Sequence, residues 1–456
     1  MLRAVASAGV PLSRADVATA TGLTRAAVSG LVDALAVGRL LRETGVPTRT
    51  GVGRPSTGLV LDGEGPAGLG IELNVDHLSV CVVDLTGTVR VRRVLGLEGG
   101  LEGGGSPAAE AWSAAVAGAG PEGGSGPAAE AGLVAGGGPA SGGGLVAGAE
   151  GRGAVLAALS SEAAAEAAAL GLTLSGAALA VPGLVDPSTG ALLVTPNLDS
   201  AGPLEALARL GSLRSVPIVV ENEATLAARA EQRALGAAAP RSFLQVSGEV
   251  GIGAGLVLDG QLYRGRHGWS GELGHVTVRP GGRPCACGSD GCLEQYAGLR
   301  AISRAAGVGA EESGRPGGGR PGRGGSGVGG SGVGGSGRGG SGGGGSGVRA
   351  IAARAAAGEP AMLAALADAG EALGLALAAA LNLLDLDAVV LGGAHAELAP
   401  WLVGPIEAQL SRRLVGAAVS RPVVQASVLG TDAAALGAAW SVLDRVLDDP
   451  AAWLSR

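Results

Sequence analysis

Lysine is absent from this chain of 456 residues; all 33 cationic side chains are arginine, which reflects genome composition and carries no function. Aromatic residues make up only 2% of the positions, with a single phenylalanine. Cores must therefore be built from Ala, Val and Leu, and aromatic stacking on nucleic-acid bases is excluded as a theme. Long apolar runs are missing too. None approaches the roughly 20 residues of a membrane span, and the best stretch, 372–381, is stopped by Asn382 and Asp385. Cationic charge is in deficit overall, and a formal net charge of −7 argues against a surface that coats nucleic acid or membrane. It leaves room for a local basic patch. The first ten residues resemble a leader only faintly, lacking a Leu, Ile or Phe run and meeting Pro11 and Arg14 early. With four cysteines, three of them grouped, a reducing compartment is expected, and so a soluble, cytoplasmic protein with no membrane partner.

What is present allows two or three domains with sizeable cores, at 46% hydrophobic composition. Two low-complexity tracts interrupt it. Residues 98–150 are Gly, Ala, Glu and Ser without a periodic apolar face, and 313–347 repeat Gly-Gly-Ser-Gly. Neither can bury enough apolar area to offset its ordering entropy, so both read as flexible insertions.

Residues 1–62 form a unit of opposite charge. Up to position 60, seven arginines face only Asp16, Asp33 and Glu43. Three short helices are expected: 1–8, then 14–20 with Ser13 as N-cap, then 25–37 capped by Thr24 after a turn at Gly22. The chain begins almost inside the first helix, so a few preceding residues are expected. In the third helix Val28, Leu31, Val32 and Leu35 repeat at helical spacing and should face inward, leaving Thr24, Arg25, Ala26 and Ser29 outward. Helix, glycine turn, helix is the DNA-binding arrangement in which the second helix enters the major groove. Strands at 40–43 and 58–61 flank Arg49-Thr-Gly-Val-Gly-Arg54, which reads as a wing. Thr24, Arg25 and Ser29 are placed to read base edges of double-stranded DNA; Arg42, Arg49 and Arg54 are placed on phosphate or in a minor groove. The alternative is a small protein-interaction module. Charge, wing and exposed helix residues together favour DNA.

From residue 67 the pattern turns to strands at 68–73, 78–84 and 89–94, then a helix near 152–170, a strand at 176–181, a helix near 203–210, a strand at 216–220 and a helix at 223–235. A second set follows: strands at 243–247, 254–258 and 261–263, helices at 348–357 and 361–384, a strand at 388–391 and further helices. The repetition predicts a duplicated α/β fold in two lobes, 63–240 and 241–456, with ligands in the cleft between them.

The densest stretch is Gly271-Glu-Leu-Gly-His275, then nine residues, then Cys285-Ala-Cys287-Gly-Ser-Asp-Gly-Cys292-Leu-Glu294. Three thiolates and an imidazole, His275, are the ligand set of a closed tetrahedral structural zinc site. Cys285 and Cys287 are too close in sequence to bridge comfortably, and Gly288 and Gly291 supply tight turns. A disulfide with a spare thiol, or reduced buried cysteines, are the less favoured alternatives. A rigid metal clip would hold Glu272 and Glu294 facing one pocket.

These motifs, with Val181-Pro-Gly-Leu-Val-Asp186, Pro196-Asn-Leu198, Glu221-Asn-Glu223, Gly251-Ile-Gly-Ala-Gly255 and Leu391-Gly-Gly393, resemble the ROK family of repressors, open reading frames and sugar kinases. The closer likeness is to its repressor branch, such as xylose and N-acetylglucosamine repressors. The resemblance covers nearly everything outside the two tracts. It implies a winged helix-turn-helix ahead of a two-lobed, actin-like (ribonuclease-H-like) sugar-kinase fold. It also implies a monosaccharide site at Asn197, Asn222, Glu223, Glu272, His275 and Glu294, with His275 serving zinc on one ring nitrogen and a sugar hydroxyl on the other. Helix or turn capping by Asn197 and Asn222, and simple solvation of the glutamates, are the plainer alternatives.

The chain departs from the family's kinases where phosphate is handled. Their first strand turn reads Asp-x-Gly-Gly-Thr-Lys; here it reads Glu72-Leu-Asn74-Val75-Asp76-His77. Asp76 sets a negative charge where phosphate oxygens would lie, and two unit charges about 4 Å apart at an effective dielectric near 20 repel by roughly 4 kcal/mol. Glu223 stands where the kinases place a catalytic aspartate, one methylene too long for its task. Val250 replaces the threonine of the second phosphate loop. The expectation is a sugar-responsive repressor without catalytic residues, dimeric or of higher order on a palindromic operator, with structural zinc as cofactor. The runner-up is an ATP-dependent sugar kinase with a regulatory head.

Overall fold

The computed structural model describes residues 1–47, 57–75, 77–96, 149–194, 216–307 and 344–456. Asp76, Arg49, Arg54, Asn197, most of both low-complexity tracts and the expected helix at 203–210 lie outside these residues.

The N-terminal unit holds α1 (Leu2–Ser7), α2 (Arg14–Thr21), α3 (Arg25–Val37), β1 (Leu41–Pro47) and β2 (Thr57–Leu61). Its helix starts are set locally. Ser13 and Asp16 exchange side-chain and backbone hydrogen bonds in a capping box, and the Thr24 hydroxyl accepts from the Ala27 amide. Gly22, at φ +70°, turns the chain so that α2 and α3 meet at 113°. Val28, Val32 and Leu35 are buried, but Leu31 is 44% exposed, against the expectation that it faces inward. At about 100° per residue it lies about 60° round from Val28, at the stripe's edge, and the described residues leave that flank uncovered. Arg14 ties the unit together, donating to Asp33 at 2.8 Å, Glu43 at 3.0 Å and the Ser29 carbonyl at 3.2 Å.

Two five-stranded sheets follow. The first contains β3 (Pro66–Leu73), β4 (His77–Asp84), β5 (Val89–Gly96), β6 (Thr173–Val181) and β9 (Ile218–Asn222), in the order β5-β4-β3-β6-β9. Helix α4 (Ala149–Ala169) precedes β6, and a small hairpin, β7 (Leu184–Val185) with β8 (Leu192–Val194), follows it. The second sheet contains β10 (Phe243–Gly248), β11 (Ile252–Leu258), β12 (Gln261–Tyr263), β13 (Ala388–Gly393) and β14 (Val423–Ala426), in the order β12-β11-β10-β13-β14. Both sheets place an antiparallel meander of three beside two parallel strands in the same spatial order. The fold is a duplicated α/β architecture.

Helix α5 (Glu223–Leu235) leaves the first sheet, and α6 (Glu294–Ala297), α7 (Leu299–Ala305), α8 (Gly344–Ala356), α9 (Pro360–Leu384) and α10 (Ala394–Arg413) serve the second. Helix α8 starts at Gly344, inside the expected Gly/Ser tract. Helix α9 corrects the sequence reading of apolar runs. By length and composition it is the one single helix among the described residues able to cross a membrane, yet 61% of its most apolar window is buried. Leu366, Leu373 and Leu377 are fully enclosed in the core of the second sheet.

Helices α11 (Ala433–Asp448) and α12 (Pro450–Leu454) end the described chain. Helix α11 does not stay with the second sheet; it crosses back to pack on β3, β6 and α5. Glycines make the approach this close. A Cβ at Gly70 would stand 1.9 Å from the Ala435 carbonyl oxygen, and one at Gly437 would stand 1.9 Å from that of Leu226. The other face of α11 joins Trp440 and Leu443 to Leu2, Val5, Val28 and Val32, one core shared by the N-terminal unit and the body. The Trp453 indole N–H closes this junction on the Gly38 carbonyl at 2.9 Å.

Candidate functional site in the inter-sheet crevice

Ligands of open α/β sheets collect beyond the carboxyl ends of parallel strands, and a cleft lies there. Asn74 and Val75 follow β3, Pro182 and Gly183 follow β6, Asn222 and Glu223 join β9 to α5, and residues 249–253 turn from β10 to β11. Glu272, His275 and Glu294 reach the same cleft from the long connection between β12 and α7. Five of the six residues expected around a sugar thus line one space: Asn222, Glu223, Glu272, His275 and Glu294. Asn197 lies outside the described residues. About 60 Å³ is open between them.

Asn222 does what the plainer alternative required and lines the cleft as well. Its Oδ1 accepts from the Thr225 amide at 3.0 Å as the N-cap of α5, and its Nδ2 donates to the Gly183 carbonyl at 3.1 Å. The β3–β4 turn is held by its own side chains. Asn74, 2% exposed, donates to Glu72 at 3.2 Å and accepts from the Val75 amide at 2.6 Å. His77 faces the same buried Glu72 carboxylate at 3.4 Å.

Beside the cleft, His275, Cys285, Cys287 and Cys292 bring four donor atoms within 4.8 Å of one another. The Cys287 and Cys292 sulfurs are 3.7 Å apart, and His275 Nδ1 is 3.6 Å from the Cys285 sulfur. Thiolates about 2.3 Å from a tetrahedral metal lie about 3.8 Å apart, and such a thiolate lies about 3.6 Å from an imidazole nitrogen bonded at about 2.05 Å. The donor set and its spacing therefore fit one metal ion. Gly291, at φ +67°, makes the tight turn: a Cβ there would stand 1.8 Å from the Arg279 carbonyl oxygen. Burial, with Glu294 Oε1 2.9 Å away, pushes the Cys285 thiol up to about 12. A bound cation reverses that balance, because a coordinated sulfur is held as thiolate.

The second ring nitrogen of His275, Nε2, faces Glu272 at 3.9 Å. Burial raises the Glu272 pKa; nearby Glu294 adds to the rise and His275 opposes it. The cluster thus adjoins two carboxylates that open on the cleft.

The family model for the ROK family matches residues 155–445. This chain belongs to the ROK family. A xylose repressor of Bacillus subtilis (strain 168) is 25% identical over 439 residues, covering 96% of this chain and 92% of that protein. A glucokinase of Halalkalibacterium halodurans is 27% identical over 271 residues, or 59% of this chain and 76% of the kinase. Among solved structures, a ROK family transcriptional regulator described as a homologue of the E. coli MLC protein superposes with a TM-score of 0.64. It is 22% identical and covers 100% of this chain and 98% of that one, a likeness that shows the fold.

Within this ROK fold, the departures from the kinase pattern gather in one place. Asn74, Val75, Glu223 and Val250 all line the cleft. Two contributors escaped the sequence reading. Glu249 lines the cleft beside Val250; its position in Gly-Glu-Val-Gly-Ile-Gly was the available signal. His395, 1% exposed, sets Nε2 2.8 Å from the Ala297 carbonyl and so braces the short helix that begins at Glu294. Burial lowers its pKa, so it is held neutral. No local pattern flags it, because its partner lies 98 residues away.

Proposed function

We propose that this protein is a sugar-responsive, DNA-binding transcriptional repressor whose kinase activity has been lost. The observation that carries the proposal is similarity to a xylose repressor over 96% of the chain, which includes the N-terminal unit as well as both sheets. Residues 1–62 serve as a winged helix-turn-helix, 63–240 as the first lobe and 241–456 as the second, with α11 returning to the first. Helices α2 and α3, crossing at 113° beside a two-stranded sheet, support the head's role. Thr24 and Arg25 are exposed at the start of α3, with Ser29 half-buried and Arg42 exposed on β1. We assign Thr24, Arg25 and Ser29 to base edges, and Arg42, Arg49 and Arg54 to phosphate or minor groove. In a homodimer two such helices would enter successive major grooves about 34 Å apart.

Zinc is the metal that one imidazole and three thiolates suit best. Four protein ligands leave it no open position, so its role is structural: it fixes the ring of His275, and Glu272 and Glu294 beside it. A monosaccharide would meet Asn197, Asn222, Glu223, Glu272, His275 and Glu294. Small-molecule sites usually hold about 300–1,000 Å³. About 60 Å³ is open there, and this reading requires sugar entry to part the lobes. That requirement gives sugar different affinities for two lobe angles, the condition for coupling it to the head.

The glucokinase relative favours a second reading, a sugar kinase with a regulatory head. A coupled ADP-release assay with xylose, glucose, N-acetylglucosamine and mannose separates the two. Turnover above about 1 s⁻¹ would establish the kinase. Absence of turnover, with one sugar releasing the protein from its own promoter fragment in calorimetry, is the outcome expected here.

A further inference from the structure

A second, larger cleft of about 670 Å³ opens on the side of the body next to α1, away from the inter-sheet crevice. Five arginines line it, from three separate elements and the loop after β12: Arg3 on α1, Arg229 and Arg233 on α5, Arg264 after β12 and Arg445 on α11. Among the described residues three carboxylates line it beside them, Glu221, Asp444 and Asp448. Their pairing is uneven. Arg264 takes Glu221 at 2.5 Å, while Asp444 is shared by Arg229, in contact, and by Arg3 and Arg233, each at 3.5 Å. Arg3 also pairs with Asp448. The Arg229 Nε is buried without a hydrogen-bond partner, and Arg445 makes no ion pair among the described residues. The Arg233 guanidinium lies 3.3 Å over the ring of buried Trp440, and desolvation there lowers its pKa to about 10 even with Asp444 opposing.

Among the described residues, five cations beside three anions leave a net positive charge in a concave space. We propose that this cleft binds a small phosphate monoester, at a site separate from the sugar cleft. A phosphomonoester carries about −1.5 to −2 charge at neutral pH and three acceptor oxygens, which matches the local excess of two cations. The volume falls in the small-molecule range. The Gln261 amide and the Ser441 hydroxyl, also in the lining, supply neutral partners for the hydroxyls of the organic part. A ligand here would touch α1 of the head and α5, whose other end begins at Asn222 and Glu223 in the sugar cleft.

Calorimetry on the full chain tests this with glucose 6-phosphate, glycerol 3-phosphate, glucose and inorganic phosphate. Both monoesters should bind. Arg445→Gln, at an exposed position without an ion pair, should weaken both about tenfold and leave glucose affinity unchanged. Glu294→Gln, in the sugar cleft, should leave glycerol 3-phosphate binding intact. Three results would overturn the proposal: no binding of either monoester, inorganic phosphate binding as tightly as the esters, or Arg445→Gln weakening promoter DNA without affecting the esters.

Discussion

His275 sets Nδ1 3.6 Å from the sulfur of Cys285 and turns the opposite edge of its ring toward the cleft, where Nε2 lies 3.9 Å from Glu272. One imidazole therefore adjoins both the cysteine cluster and the cleft. Whatever fixes Nδ1 also fixes the direction in which Nε2 can hydrogen-bond. Glu294 repeats the relationship from the other side, lining the cleft while its Oε1 lies 2.9 Å from the same sulfur.

Metal and sugar affinity should fall together. The protein should carry one zinc per chain by elemental analysis, and exhaustive chelation or Cys292→Ser should weaken sugar binding at least about tenfold, as loss of an orienting partner commonly does. Full sugar affinity in protein verified as metal-free would reject the bracing role.

Glu272→Gln keeps the shape but removes a charged acceptor. Sugar affinity in calorimetry should drop about tenfold to a hundredfold, with zinc content unchanged. An unaltered affinity would take Glu272 out of the site.

For the head, Arg25→Ala should lower affinity for the cognate operator and blur its sequence preference. Arg42→Ala should weaken all duplexes alike and reduce the slope of log affinity against log salt by about one. A head that binds protein instead of DNA would show no salt-dependent duplex binding to lose.

Trp440, 1% exposed, joins the core of the N-terminal unit to α11 and carries Arg233 on its ring. Trp440→Ala should cost about 3–5 kcal/mol in denaturant unfolding. A change below about 1 kcal/mol would mean that the shared core contributes little to joining head and body.

Glu231 is fully buried on α5, accepting from Ser427 at 2.6 Å and the Val428 amide at 3.1 Å. Burial raises its pKa more than these two bonds lower it. A carboxyl raised in the folded state favours folding below its ordinary range and loses that contribution as pH rises through its folded value. Glu231→Gln should therefore gain thermal stability relative to wild type as pH rises above the ordinary glutamate range. A constant difference over that rise would show that Glu231 titrates normally.

Much of the local structure is legible in the sequence. Ser13, Thr24 and Asn222 cap the helices they precede because capping needs only a short polar side chain and the next turn of backbone. The grouping of His275 with three cysteines, a cluster that could hold a metal, is readable for a similar reason: the cysteines fall within eight positions and the turns between them need glycine. The exposure of Leu31 is not legible, because periodicity gives a helix its stripe but not the width of the surface that covers it. Helix α9 was underrated as an apolar segment because its alanines and glycines dilute the run that its leucines make.

The sequence by itself determined the local things: caps, the order of strands, the grouping of His275 with three cysteines, and the family, each fixed by residues close along the chain. Only the tertiary structure decided that α11 returns to the first sheet, that His395 meets the carbonyl of Ala297, and that five arginines from distant segments converge beside the head. Such contacts depend on how separate surfaces close over one another. That closure is set by packing across hundreds of residues, and no spacing along the chain encodes it.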